Sequence, residues 1–145
     1  MEKQMILTFN GFSHGWLCDQ MGHLNTRHYA AMFDDAAIHL MNVLGFSWST
    51  LSSSDYGWAN AKDVVEYKEE VPLGIPISIY SGIKRVGTKS ITTHHAMHNS
   101  ETNILHATLT TTLVCFDTKQ RISRPLPEHI KLKAKELMID MPEAH

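Results

Sequence analysis

The chain has few of the features that mark secreted, membrane-embedded or nucleic-acid-binding proteins. Its two cysteines in 145 residues are too few for a disulfide framework, so we expect a reducing, cytoplasmic compartment. No hydrophobic run approaches the roughly 18 residues of a membrane span, and the start of the chain is too polar for a signal peptide. The formal net charge of −2 offers no basic surplus. We therefore expect neither a nucleic-acid nor a membrane partner.

What is present indicates one ordinary globular domain. A length of 145 residues with 43% hydrophobic content fits a single domain over residues 1–145. No internal repeat or low-complexity linker divides it.

The longest periodic segment runs from Asn25 to Leu44 and predicts a helix. Asn25 or Thr26 is suited to the N-cap and Gly45 to the C-terminal stop. The apolar residues that recur at helical spacing are Tyr29, Met32, Phe33, Ala36, Ala37, Leu40, Met41 and Leu44. Since few charges interrupt them, we expect this helix to be buried on most of its surface.

The remainder of the chain is mostly strand-like. A first strand is predicted from Ile6 to Phe12, continuing through Gly15 to Cys18, and a polar loop from Ser47 to Tyr56. Alternation with period two then predicts further strands. These begin near Trp58 and cover 75–83, 90–98 and 105–116. A C-terminal helix is predicted at 127–140, opened by Pro127. The plan is an α+β fold in which an antiparallel sheet of five or six strands wraps a long central helix. Its exposed edge favours edge-to-edge dimerisation.

The acid between the first strand and the helix is the strongest candidate for chemistry. Asp19 is followed by Gly22, which allows a tight bend, and then by the helix start. A helix start supplies unpaired N–H groups and a positive dipole end. This arrangement places a carboxylate beside a potential oxyanion site, as acyl chemistry requires. The alternative is an acid that only stabilises the helix dipole.

These residues carry a family resemblance. The run DQMGHLNTRHY at 19–29, followed by MFDDA at 32–36, resembles the signature of hotdog-fold acyl-CoA thioesterases of the 4-hydroxybenzoyl-CoA thioesterase type. The predicted order of elements is similar to that fold over roughly residues 5–125. The resemblance distinguishes this subgroup from hotdog thioesterases whose catalytic glutamate lies in the long helix, and it does not define the substrate.

The resemblance implies roles for five residues. Asp19 matches the catalytic carboxylate, acting as nucleophile or as general base on water, and the backbone N–H of Thr26 matches the group that polarises the thioester carbonyl. Tyr29 matches an aromatic residue near the acyl pocket. His23 and Asn25 match positions that orient water or the acid in some members, although a turn histidine and a helix cap are the alternatives. The family's homodimers, or dimers of dimers, have their sites at the interface and need no metal or cofactor.

Two further groups are weaker candidates for substrate contacts. Trp16 and Trp58 could line an acyl pocket, including one for a cationic acyl group, or could simply fill the core. Lys84, Arg85 and Lys89 flank one predicted turn and could contact the phosphates of CoA, although most basic residues are merely solvated.

The histidine-rich segment and Cys18 are interpreted as structural. His94, His95 and His98 lack the acidic or cysteine companions of a zinc site, so we expect a solvated sheet face. Cys18 adjoins Asp19 in sequence, but neighbours in a strand point to opposite faces.

The sequence therefore predicts an acyl-CoA thioesterase for a small or medium acyl group. The alternatives are a non-catalytic acyl-CoA-binding hotdog module and a hotdog hydratase or dehydratase, in which His23 would pair with Asp19. The acyl group, and whether CoA or an acyl-carrier protein bears it, are not specified by the residues.

Overall fold

A single antiparallel sheet organises the chain. The computed structural model describes residues 5–47, 49 and 53–140. Its strands are β1 (Ile6–Phe12), β2 (Tyr56–Tyr67), β3 (Pro76–Val86), β4 (Ser90–Asn99), β5 (Leu105–Asp117) and β6 (Ile122–Ser123). The order is β1-β3-β4-β5-β2, with β6 paired to β5. The helices within the described ranges are α1 (Thr26–Val43) and α2 (Glu128–Glu136). The predicted α+β fold with an antiparallel sheet of five or six strands is confirmed, and the sheet has six strands.

Helix α1 begins and ends where the local signals place it. The Asn25 side chain accepts a hydrogen bond from the Arg27 N–H at 3.2 Å and so caps the first turn. At the other end Gly45 has a φ of 105°, a left-handed conformation that favours glycine, and Phe46 N–H donates to Met41 O at 2.9 Å. The predicted helix from Asn25 to Leu44 is thus confirmed to within one residue at each end.

One side of α1 packs on the sheet and the other faces solvent. The buried residues of the helix are Tyr29, Met32, Phe33, Ala36, Leu40 and Met41. On the opposite side Ala30, Ala31 and Asp34 are exposed, and Ile38 is 61% exposed. The expectation that α1 is buried on most of its surface is therefore wrong for a single chain, because the sheet covers only one side of the helix.

Strand β2 forms a long, open edge of the sheet. Its twelve residues pair with β5 alone, and every residue from Ala59 to Tyr67 is exposed. Val64, Val65 and Tyr67 are among the large hydrophobic side chains left in solvent. An unpaired edge of this length offers free backbone donors and acceptors to another strand.

The first strand is shorter than the sequence predicts. The first strand stops at Phe12, and Gly15–Leu17 form a short 3-10 turn rather than a continuation. The Ser13 hydroxyl, which donates to Pro72 O and accepts from the Ile75 N–H, ties the chain down at that point. The predicted loop at 47–56 lies partly outside the described residues. Within the described ranges, no helix is long and apolar enough to cross a membrane.

The C-terminal helix is shorter than predicted. Pro127 stands at the N-cap of α2, and the helix ends at Glu136 rather than at 140. The chain beyond it runs beside β3: Ile83 N–H donates to Leu137 O and Ile139 N–H donates to Ile83 O, at 3.1 and 2.8 Å. These bonds replace helical ones, and they bury Ile139 against the sheet.

His94 and His95 of β4 are buried and His98 is half-buried, which corrects the expectation of a solvated face. β4 is the middle strand of the order above, so neighbours flank it on both sides. His95 is fully buried, with Nδ1 2.5 Å from Ser81 Oγ and Nε2 2.9 Å from Thr93 Oγ1. His94 is also buried, and its Nδ1 lies 2.9 Å from Thr110 Oγ1. Across 5–47, 49 and 53–140 no three His, Cys, Asp or Glu side chains group as metal ligands.

Candidate active site

A tight turn fixes the carboxylate of Asp19. The Asp19 N–H donates to His23 O at 2.9 Å and the Gly22 N–H donates to Asp19 O at 3.1 Å. Gly22 has a φ of 80°, a conformation that side chains other than glycine's rarely adopt. The side-chain oxygen Oδ1 accepts the backbone N–H groups of Met21 and His23 at 2.9 and 3.4 Å. Both bonds go to Oδ1, so Oδ2 has no protein partner within the described part of the chain.

The turn is docked between α1 and the segment that precedes β3. Leu24 N–H donates to Val71 O at 2.8 Å, and Leu73 N–H donates to Gly22 O at 2.9 Å. The Asn25 N–H donates to Leu17 O at 2.9 Å. These backbone bonds hold Asp19 at the start of the helix independently of any side chain of the site.

Four of the predicted site residues line one cavity. A cavity of about 280 Å³ is bounded by Asp19, His23, Thr26, Tyr29, Tyr67 and Glu70, among others. Thr26 is the first residue of α1, so its N–H has no intrahelical acceptor. No acceptor for it is found elsewhere in the described chain. Asn25 adjoins the cavity as the cap of α1, with its side chain occupied by Arg27.

Tyr29 forms the inner wall of the cavity. The residue is buried, and its ring meets the Tyr67 ring edge-on with centroids 5.0 Å apart. Burial raises the pKa of the Tyr29 hydroxyl, and a hydrogen bond with the backbone of Val71 partly offsets this effect. The hydroxyl is therefore neutral across the physiological range.

Sequence reasoning missed the partner of His23. Its Nε2 lies 3.2 Å from Oε2 of Glu70, which follows β2 and lines the same cavity. The two residues are far apart in the chain, and they meet because Leu24 pairs with Val71. No periodic signal in the sequence marks this contact. The predicted hydratase-like pairing of His23 with Asp19 differs from the observed geometry, in which Asp19 meets only the backbone of His23.

Trp58 lies in a second, larger groove. This groove, of about 490 Å³, runs between α1 and β2 and is lined mainly by apolar side chains, with Asp34 and Asp63 as its acids. It lies next to the Asp19 cavity along both elements, since Tyr29 is followed by Ala30 and Tyr67 is preceded on the same face by Val65. The Trp58 ring packs against Phe46, with centroids 4.5 Å apart.

Four predicted contacts do not line the Asp19 cavity in a single chain. Trp16 is 78% exposed and stacks on His14 at 4.2 Å. Lys84, Arg85 and Lys89 are at the β3–β4 turn, near the end of α1, where Ile83 and Ile91 pack with Leu40 and Leu44. The 18 residues of α1 span about 27 Å. The role of Lys84, Arg85 and Lys89 in CoA binding stays a prediction. In one chain alone these residues lie at the opposite end of α1 from Asp19.

Comparison with known proteins defines the class of the protein. The thioesterase-like superfamily model matches residues 12–134, so the chain belongs to that superfamily and is a thioester hydrolase. No curated protein sequence matches the chain significantly.

Solved structures with the same fold agree. A Staphylococcus aureus protein in complex with CoA is 17% identical, with a TM-score of 0.86 over 96% of this chain and 91% of its own. A 1,4-dihydroxy-2-naphthoyl-CoA thioesterase from Synechocystis is 15% identical, with a TM-score of 0.78 over 89% and 95%. A predicted thioesterase from Bacillus stearothermophilus is 19% identical, with a TM-score of 0.79 over 92% and 96%. The chain shares the hotdog fold with these structures.

Proposed function

We propose that the protein hydrolyses an acyl-CoA thioester, with Asp19 as the nucleophile or as the general base. The observation that carries this proposal is the shared cavity of a fixed carboxylate and an unpaired helix N-terminal N–H, those of Asp19 and Thr26. Support for a CoA thioester comes from the two similar structures, one binding CoA and one acting on an aromatic acyl-CoA.

The chemistry follows from where charge develops. The thioester carbonyl oxygen accepts the Thr26 N–H, and the α1 dipole stabilises the oxyanion that forms as the carbonyl carbon is attacked. In one route Oδ2 of Asp19 attacks, the C–S bond breaks, and water then hydrolyses the acyl-aspartyl anhydride. In the other, Asp19 takes a proton from the water that attacks. Both routes release the acid and CoA thiol.

The groove beside the cavity offers space for the acyl group. Its volume of about 490 Å³ lies within the usual range for small-molecule pockets, roughly 300–1,000 Å³. A carbonyl held at Thr26 would direct the acyl chain past Tyr29 towards Trp58. This placement fits a small or medium acyl group.

A second copy of the chain would complete the site. Pairing of two β2 edges would satisfy the free backbone groups of the strand, and it would cover the exposed side of α1. The resulting homodimer, or dimer of dimers, would place each groove at the interface and give the central helix the wrapping that the sequence predicts. In such a dimer the antiparallel partner could bring its own Lys84, Arg85 and Lys89 towards the CoA phosphates.

The test is thiol release from a panel of acyl-CoAs by the unmodified chain and by Asp19→Asn. The amide keeps an acceptor for the N–H groups of Met21 and His23, so the turn should persist while the nucleophile and base are lost. We expect kcat to fall by roughly 10²- to 10⁴-fold. Asp35→Asn, an exposed acid of α1 outside the cavity, should retain activity.

The other outcomes separate the alternatives. CoA binding without thiol release from any panel member would favour a binding module. Hydration of an enoyl thioester without thiol release would favour the hydratase. Undiminished release by Asp19→Asn would show that another group carries the reaction.

A further inference from the structure

We propose that Glu70 is a positioning residue that orients the His23 imidazole for proton transfer in the Asp19 cavity, an inference that rests on the proposed thioester hydrolysis. Glu70 Oε2 lies 3.2 Å from His23 Nε2, and both side chains line the cavity. A carboxylate at Nε2 keeps the proton of the neutral ring on that nitrogen and the lone pair on Nδ1. Nδ1 has no partner in the described chain, so it is the ring nitrogen open to a ligand.

The backbone on both sides of Glu70 is clamped. On one side the N–H groups of Lys68 and Glu69 donate to His106 O at 2.8 and 3.2 Å, and the buried His106 ring places Nδ1 3.0 Å from Glu69 O. On the other side Val71 O accepts the Leu24 N–H. The backbone that carries the Glu70 carboxylate is therefore held in a fixed position next to the Asp19 turn.

Stability alone does not account for this pair. The Glu70 side chain is 75% exposed and that of His23 is 33% exposed. Exposed ion pairs contribute roughly 0–1 kcal/mol. The exposed Lys68–Glu66 pair, 3.6 Å apart, is of the same kind, but Glu66 does not line the cavity.

The pair suits the departure of the thiolate. In the water route one proton of the attacking water passes to Asp19, the O–C bond forms and the C–S bond breaks. His23, when protonated, gives its Nδ1 proton to the CoA sulfur, and Glu70 compensates the charge of the imidazolium that precedes this step. Asp19 then returns its proton through solvent, and His23 regains one. The other titratable groups around the cavity are Asp19, Tyr29, Tyr67, Lys68 and Glu69.

The test is a double-mutant cycle on thiol release with Glu70→Ala, His23→Gln and their combination. A carboxylate that orients a metal-bound histidine is worth roughly 10- to 100-fold in activity. For a histidine that binds no metal we expect the lower end of this range, so Glu70→Ala should lower kcat about tenfold with KM nearly unchanged. In the His23→Gln background the same change should have no further effect. Glu70→Gln, which keeps a neutral acceptor, should recover part of the loss. Glu66→Ala, which removes the comparable exposed pair, should leave kcat unchanged.

A second readout follows the ring itself. Nitrogen-15 NMR of the neutral imidazole should show the His23 proton on Nε2 in the unmodified chain and a tautomer mixture in Glu70→Ala. Equal effects of Glu70→Ala and Glu66→Ala, or a full effect of Glu70→Ala in His23→Gln, would overturn the inference. Absence of thiol release from the unmodified chain would overturn the proposed function and the catalytic part of this inference, while the tautomer would still report on the pairing.

Discussion

The buried His95 should make the stability of the protein fall in mild acid. Its two ring nitrogens form hydrogen bonds with the hydroxyl groups of Ser81 and Thr93. The hydrogen-bond network continues to Thr8, whose Oγ1 lies 2.7 Å from Ser81 Oγ. Burial, with a smaller contribution from the neighbouring His94, lowers the pKa of His95 from 6.5 to about 3. Among the residues that the structure describes, no carboxylate takes part in this network to compensate a charged ring.

The sign and size of the effect follow from linkage. Below pH 6.5 the unfolded chain binds a proton at this histidine, whereas the folded chain binds it only near pH 3. The contribution of the buried, neutral His95 to the free energy of unfolding is therefore fully present above about pH 7. It is lost as the pH falls from 6.5 towards 3. At 1.36 kcal/mol per pH unit, the loss attributable to His95 between pH 7.5 and pH 5.0 is about 2 kcal/mol.

Urea unfolding at pH 7.5 and pH 5.0 measures this loss. His95→Gln should be less stable than the unmodified chain at pH 7.5, because its hydrogen bonds are poorer, but it should lose about 2 kcal/mol less between the two pH values. His39→Gln, at an exposed position of α1, should keep the pH dependence of the unmodified chain. If His95→Gln lost as much stability as the unmodified chain, the burial argument would be refuted.

Two further predictions concern the start of α1 and the edge strand. Asn25→Ala should lower the free energy of unfolding by about 1 kcal/mol and reduce kcat, because the first turn of α1 at Thr26 loses its cap. Asn25→Asp should retain both the stability and kcat. An unchanged melting temperature and kcat in Asn25→Ala would contradict this role of the cap. In sedimentation the chain should have about two or four times its 16.4 kDa mass, and Val65→Lys on β2 should yield monomers while Leu132→Lys on α2 does not. A monomeric unmodified chain at micromolar concentration would argue against the β2 dimer.

The parts of the fold predicted from the sequence depend on local physics. The ends of α1 follow from the Asn25 side chain and from Gly45, each of which acts within a few residues. The turn at Gly22 likewise depends on its own positive φ. Alternation with period two predicted the long strands because it reports the pleat of each strand separately. The placement of Asp19 beside the start of α1 follows from these short-range features, whereas the opposite wall of the cavity, at Tyr67 and Glu70, does not.

What the sequence did not predict depends on contacts between distant segments. The polar residues of β4 suggested a solvated face, because alternation does not say which face of a strand another element covers. His95 lies on the face that packs against α1, where its ring centroid is 6.5 Å from that of Phe33. The contact of His23 with Glu70 requires Leu24 to pair with Val71. Neither arrangement has a signature in the spacing of the residues concerned.

The one error about α1 is itself informative. A single exposed apolar side chain is common on protein surfaces and needs no explanation. Ile38, however, lies with Ala30 and Ala31 on a helix side next to the exposed edge of β2. Alanines permit close approach of another backbone, and the edge supplies unpaired N–H and C=O groups to another strand. The sequence pattern predicted burial on most of the α1 surface, whereas in a single chain the sheet covers only one side of the helix. The exposed apolar side of α1 supports the proposed dimer, in which the groove beside Asp19 would gain its second wall from the partner.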